Sequence, residues 1–179
     1  MRILCLHGYS QNSAIFSKKL KVLEKSLKAD LVIPDAPHFI PDSQELRCWW
    51  RASDDRLTYH GLQDSITFIK NIYDSQSFDL ILGFSQGATF AAILSQILKP
   101  KLLIIVSGFL PFPPNLQYSQ IPINSLHIIG KSDDIVPLEE NFKLSQTFTN
   151  PTIYIHEGGH YLPLNQESLA TIRNFIHSI

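Results

Sequence analysis

A chain of 179 residues that is 44% hydrophobic and 17% charged can bury one real core, which excludes a disordered polar chain. Fifteen Lys and Arg stand against 16 Asp and Glu, so the formal net charge is −1. That balance leaves no cationic excess for neutralising phosphates, and no nucleic-acid partner is expected. Two cysteines, Cys5 and Cys48, make no disulfide framework and suit a reducing compartment, so the expected location is cytoplasmic. The apolar run at the N-terminus is broken by His7 and Gly8, too early for a signal peptide. No run approaches the ~20 apolar residues of an integral membrane segment.

In chain order, the first predicted strand is Arg2–Leu6. Phe16, Leu20, Leu23 and Leu27 follow at helical spacing, with Lys18, Lys21, Lys25 and Lys28 on the opposite face. A basic amphipathic helix can lie on an anionic membrane, but the outer layer of a sheet protein has the same pattern. A second strand is expected at 31–34, and then a helix whose stripe is Leu62, Ile66, Ile69 and Tyr73. Further strands are expected at 78–82, 102–107, 126–129 and 152–156, with helices at 88–98 and 138–148. Leu169, Ile172 and Ile176 mark a last helix.

These strands are apolar throughout, as strands buried on both faces of a parallel sheet are. The fold class expected is therefore α/β, about six mainly parallel strands flanked by helices, in a single domain over residues 1–179. Two stretches, 35–60 and 109–124, break the rhythm with prolines and aromatics. Long loops of that kind usually carry function.

Gly83-Phe84-Ser85-Gln86-Gly87 is a G-x-S-x-G pattern set between an apolar strand and an apolar helix, the context of a nucleophile elbow. Side chains two residues before and after Ser85 would collide across such a turn, which accounts for both glycines. A serine hydroxyl is a weak nucleophile and needs a histidine base. His160 follows the last predicted strand through Gly158-Gly159, where a base belongs when the chain order is Ser, acid, His.

His156-Glu157-Gly158-Gly159-His160 also matches H-E-x-x-H, and a zinc hydrolase built on His156 and His160 is a second reading. That motif works on a helix, where each glycine would cost about 1 kcal/mol relative to alanine. The β-branched and aromatic run before it argues for a strand instead. No metal is expected.

The acid belongs after the strand at 126–129, where spacing leaves Asp133 and Asp134 both open. Two N–H donors must face the oxyanion. One is that of Gln86, after the nucleophile, and the other that of Tyr9, in the loop after the first strand. His7 is expected to brace that loop.

Together these elements resemble the fungal-type family of serine hydrolases (the FSH family), a compact branch of the α/β-hydrolases. The likeness is carried by Leu4-Cys5-Leu6-His7-Gly8-Tyr9-Ser10, Asp35-Ala36-Pro37-His38 and Arg47-Cys48-Trp49-Trp50-Arg51. It continues through the serine elbow, Ser107-Gly108-Phe109 and Gly158-Gly159-His160-Tyr161-Leu162-Pro163. The family's G-x-x-D-x-x-V-P pattern falls on Gly130, Asp133, Val136 and Pro137, so the resemblance selects Asp133 as the acid.

The resemblance implies a carboxylesterase or thioesterase fold without a separate lid, acting on small acyl esters or thioesters with no cofactor. The chain is shorter than the family pattern, chiefly between Asp35 and Tyr59. Trp49, Trp50 and Phe109 are the substrate-pocket candidates, one tryptophan walling a pocket while its neighbour packs inward. Arg47 and Arg51 flank them as surface ion-pair residues or as ligands for a substrate carboxylate. The expected mechanism is acyl transfer through Ser85; a binding module that keeps the fold without catalysis is the alternative.

Overall fold

The structure is a computed structural model that describes residues 1–55, 57–111 and 120–178. Its frame is a six-stranded sheet: β1 (Arg2–Leu6), β2 (Asp30–Val32), β7 (Leu80–Phe84), β8 (Leu102–Val106), β9 (Asn124–Gly130) and β10 (Pro151–His156). The strand order is β10-β9-β8-β7-β1-β2, and each neighbouring pair is parallel. Four two-residue strands, β3 (His38–Phe39), β4 (Arg47–Cys48), β5 (Arg51–Ala52) and β6 (Tyr59–His60), pair as two antiparallel ribbons beside it.

Side chains alternate across the sheet, so each strand feeds two cores. Ile3, Cys5, Leu80, Leu82 and Ile104 pack with α1 (Ser13–Leu27) and α5 (Gln166–His177). Leu4, Leu6, Ile81, Leu103 and Ile105 pack with α2 (Leu62–Ser75), α3 (Gln86–Leu98) and Leu144 of α4 (Leu138–Ser145). Helix α1 starts where Asn12 Oδ1 accepts the Ile15 N–H at 2.8 Å, and it buries Phe16, Leu20 and Leu23. Lys18, Lys21, Lys25 and Lys28 lie on its exposed side, so its apolar stripe covers the sheet. Among the described residues no helix is long and apolar enough to cross a membrane.

Several boundaries differ from the sequence expectation, most informatively in β7 and α4. The strand predicted at 78–82 runs instead to Phe84, because Gly83 stays in the ladder opposite Leu6 and Ile105. Phe78 falls before it and stacks on Tyr73 at 5.5 Å. Helix α4 stops at Ser145 rather than 148, because Ile121 takes over the backbone there: its N–H donates to Thr147 O (2.7 Å) and its carbonyl accepts from Thr149 N–H (3.0 Å). The second break, 109–124, contains residues 112–119, so Pro113 and Pro114 lie outside the described residues. The first break, 35–60, supplies the two ribbons.

Two features of this frame are testable. Gly87 sits so close to β1 that a Cβ there would overlap the carbonyl oxygens of Leu6 and His7. Both are backbone atoms, which cannot step aside cheaply, so Gly87→Ala is expected to cost about 3 kcal/mol in urea unfolding. The second concerns His127, 1% exposed, which shares a 3.0 Å hydrogen bond with Ser125 and meets the Phe148 ring edge-on.

Burial pushes the His127 pKa down to about 3. The unfolded imidazole takes its proton near the ordinary ~6.5, while the folded one stays neutral far below that. Stability from this group is therefore full above the unfolded value and is lost as pH falls through the window down to the folded one. Urea unfolding is expected to show a loss on the order of 2 kcal/mol from this group between about pH 7.5 and about pH 5. His127→Gln should remove that part of the slope.

Candidate active site

At the end of β7 the chain enters Ser85 with φ 55° and ψ −119°, a left-handed backbone that an L-residue adopts only at a cost. The turn is pinned from both sides. Ser85 N–H donates to Val106 O at 2.8 Å, and Ser85 O accepts the N–H groups of Ala88 (2.9 Å) and Thr89 (3.1 Å). A Cβ on Gly83 would overlap the Gly87 carbonyl, so the two glycines of the motif are needed for the same contact. Ser85 stands where β1 and β7 part. From β1 the chain crosses outward to β2; from β7 it crosses the other way to β8. Ligands bind at the carboxyl ends of strands at such a switch point.

The loop after β1 lies against this turn, a Cβ on Gly8 coming within 3.4 Å of Ser85 Cβ. His7, fully buried, holds the loop. Its Nε2 accepts the Ala36 N–H (3.1 Å), which leaves Nδ1–H to donate to Gly8 O (2.8 Å). Burial pushes its pKa down, so the neutral ring this pattern needs is the favoured form. The backbone N–H groups of Tyr9 and Gln86 have no hydrogen-bond partner among the described residues. They are the two expected oxyanion donors, at adjoining positions of this site.

The Gln86 side chain is tied elsewhere. Its Oε1 accepts Trp49 N–H and its Nε2 donates to Trp50 O, both at 2.9 Å. Trp49 Nε1–H donates in turn to His7 O at 2.8 Å, and its ring stacks on Phe90 at 4.9 Å. Trp49 is 0% exposed. Of the two tryptophan candidates, one of which was expected to pack inward, Trp49 is the core residue, and it ties the 47–52 segment to the elbow. Sequence reasoning missed this use of Gln86, because an amide side chain after a nucleophile carries no local signal.

Two loops bring acid and base together. They are zipped by Lys131 N–H to His156 O (2.8 Å) and Ser132 N–H to Gly158 O (3.0 Å). A Cβ on Gly130 would overlap Gly159 O. Across this seam His160 Nδ1 donates to Asp133 Oδ2 at 2.8 Å. Asp133 Oδ1 accepts the N–H groups of Ile135 (3.0 Å) and Val136 (2.8 Å). Burial works against the charge on Asp133, but the Val136 N–H and the His160 ring outweigh it and hold its carboxyl below the ordinary range. Asp134, the other residue that spacing allowed, is exposed.

The His160 ring lies on Phe84, centroids 4.9 Å apart, beside Ser85 in the chain. Among the hydrogen bonds of the described residues, none joins Ser85 Oγ to His160. His156 ends β10 and its Nδ1 accepts the Gly158 N–H (3.2 Å), with no helix after it. The helical face that H-E-x-x-H requires is therefore not formed by His156 and His160. Among the described residues no group of three or more His, Cys, Asp or Glu is placed to hold a metal.

A cavity of about 540 Å³ opens beside Ser85 and Gln86. Tyr9 lines it from the β1 loop, and Trp50, Ala52 and Tyr59 from the second ribbon. Trp50 stacks on Tyr59 at 5.0 Å, nearly parallel. Phe109, whose N–H donates to Thr89 Oγ1 (3.0 Å) and whose carbonyl accepts from the same hydroxyl (2.8 Å), forms another wall. Ile135, Val136, Pro137 and Glu140 complete it. Tyr59, Ile135 and Glu140 were missed as lining residues, since only the folding of separate segments onto Ser85 shows them. Neither Arg47 nor Arg51 lines the cavity; the Arg47 guanidinium rests on the Phe39 ring at 3.7 Å.

Known proteins agree with this frame. Esterase AAEL000016 of Aedes aegypti is 34% identical over 206 aligned positions, spanning 98% of this chain and 74% of its own. Esterase OVCA2 of Danio rerio is 32% identical over 98% of this chain and 96% of its own. An alignment of 206 positions exceeds the 179 residues here, so the mosquito relative has residues that this chain lacks. Among solved structures, esterase PE8 superposes with a TM-score of 0.74 at 21% identity, over 99% of this chain and 92% of its own. Zea mays acyl-protein thioesterase 2 gives 0.73 at 19%, with the same coverages. Likeness at that identity shows the shared α/β-hydrolase fold. The family model described as Serine hydrolase (FSH1) matches residues 1–172. With that match and a relative one-third identical along nearly the whole chain, this protein belongs to the serine hydrolase (FSH1) family.

Proposed function

We propose that this hydrolase cleaves carboxylic esters or thioesters of small acyl substrates through an acyl-serine intermediate, as one catalytic domain over residues 1–179 that needs no cofactor. The observation that carries the reading is the Asp133–His160 hydrogen bond, held at the same strand ends as a strained serine elbow. Printed names of esterases and of an acyl-protein thioesterase among the similar proteins support the reaction class. Buried, unpaired Cys5 and Cys48 support a cytoplasmic setting.

In this mechanism the substrate carbonyl sits in the cavity with its oxygen toward the N–H groups of Tyr9 and Gln86. Substrate binding closes the contact between Ser85 Oγ and His160 Nε2; such bonds commonly tighten only when the site is filled. Oγ attacks the carbonyl carbon while Nε2 takes its proton. Asp133 accepts Nδ1–H throughout, fixing the tautomer and stabilising the imidazolium. His160 then protonates the leaving alcohol or thiol. Water enters and gives a proton to the same nitrogen as its oxygen attacks the acyl carbon; the bond to Oγ then breaks, Nε2 returns the proton to Ser85 Oγ, and the acid leaves.

Ser85→Ala and His160→Ala are each expected to lower kcat on p-nitrophenyl acyl esters by about 10⁵-fold, with the thermal midpoint kept. Asp133→Asn should lower it about 10⁴-fold by stabilising the wrong tautomer. Because Asp133 is held ionised below the ordinary carboxylate range, kcat/KM should rise with pH along one limb only, set by the imidazole base. A fluorophosphonate probe should label Ser85 in the native protein and not in His160→Ala. Absence of labelling together with absent hydrolysis would mark the non-catalytic binding module instead.

A further inference from the structure

Apart from Ser85 and Gln86, the cavity is walled by aromatic and aliphatic side chains, with one exception. Glu140 is the single formally charged side chain in that lining among the described residues. Its Oε1 accepts from Lys143 Nζ at 2.8 Å, and the same ammonium reaches Glu139 Oε1 at 3.4 Å. Oε2 of Glu140 is sealed from solvent and has no hydrogen-bond partner among the described residues. Its charge is therefore only half answered by the protein. The surrounding apolar walls do nothing to screen it.

We propose that Glu140 sets the charge specificity of the acyl pocket, rejecting acyl chains that end in a carboxylate and favouring chains that end in an ammonium. The inference rests on the reading that the cavity receives the acyl group transferred to Ser85. A terminal carboxylate brought into the cavity meets a like charge with no lining cation to offset it. A terminal ammonium instead brings a cation that offsets the charge of Glu140. A plain alkyl chain lies between the two, since it neither gains nor loses this contact. Glu140 is a specificity residue and takes no part in bond breaking.

The test compares p-nitrophenyl hexanoate with its ω-amino and ω-carboxy counterparts, measured with the native protein, Glu140→Gln and Glu139→Gln. Glu139 is 80% exposed and outside the cavity lining, so it controls for surface charge. The native protein is expected to favour the ω-amino over the ω-carboxy ester by at least about tenfold in kcat/KM. Glu140→Gln should bring that ratio near one, while Glu139→Gln keeps it. Equal rates for the three esters in the native protein, or a ratio that survives Glu140→Gln, overturn the proposal.

A second arm separates this inference from the hydrolase reading. Matched methyl ketones, which undergo no cleavage, are titrated into Ser85→Ala and read by tryptophan fluorescence, since Trp50 lies in the cavity wall. If none of the esters is hydrolysed while the ketones still rank ammonium above alkyl above carboxylate, the reaction fails and the Glu140 assignment stands. Equal binding of the three ketones overturns the Glu140 assignment whatever the hydrolysis shows.

Discussion

At the ends of β1 and β7 there is no room for a side chain beneath Ser85. The first turn of α3 rests on the carbonyls of Leu6 and His7, and Gly83 rests on Gly87. This approach forces the left-handed backbone at Ser85 and lifts its side chain to the edge of the sheet. Among the described residues, the N–H of Gln86 at the start of α3 is left without a hydrogen-bond partner, as is that of Tyr9. Strain and polar vacancy of this kind persist only where the surroundings over-determine them. Here the surroundings are two buried strands, with a hydrogen bond from the serine N–H to Val106 O and hydrogen bonds from α3 to the serine carbonyl.

Around that contact the molecule is built to hold loops rigid. His7 spans from the β1 loop to Ala36, and Trp49 reaches back to His7 while Gln86 grips both tryptophan peptides. The 47–52 segment, which holds only two two-residue strands, is thereby fixed to the residue after the candidate nucleophile. On the far side, backbone hydrogen bonds between the acid loop and the base loop deliver Asp133 to His160. A carboxylate that accepts two backbone N–H groups and an imidazole has little freedom left, which suits a group that must orient a base.

Much of the frame was legible because its signals are local. Parallel strands buried on both faces are apolar runs, and α1, α2 and α5 declare themselves by spacing alone. G-x-S-x-G in a strand–helix context located the elbow, and Gly158-Gly159 located the turn before His160. The choice between Asp133 and Asp134 came from the family pattern and not from spacing. In the structure Asp133 accepts a hydrogen bond from His160, and Asp134 is exposed. Which of Trp49 and Trp50 would wall a pocket stayed open, because two adjacent tryptophans look alike in one dimension. Which of them faces the cavity depends on the ribbon pairing at 51–60 and on Gln86.

The amino-acid order alone determined the α/β class, the strand-to-helix alternation and the residue types at the candidate site, because hydrophobic period and glycine placement act over a few neighbouring residues. Only the tertiary structure decided that Trp50 and not Trp49 walls the cavity, that Gln86 clamps its neighbours, and that Glu140 faces the same space as Ser85. Those relations join segments dozens of residues apart. They arise from sheet order and crossover direction, which bring distant loops to one edge, and no local pattern records where such loops meet.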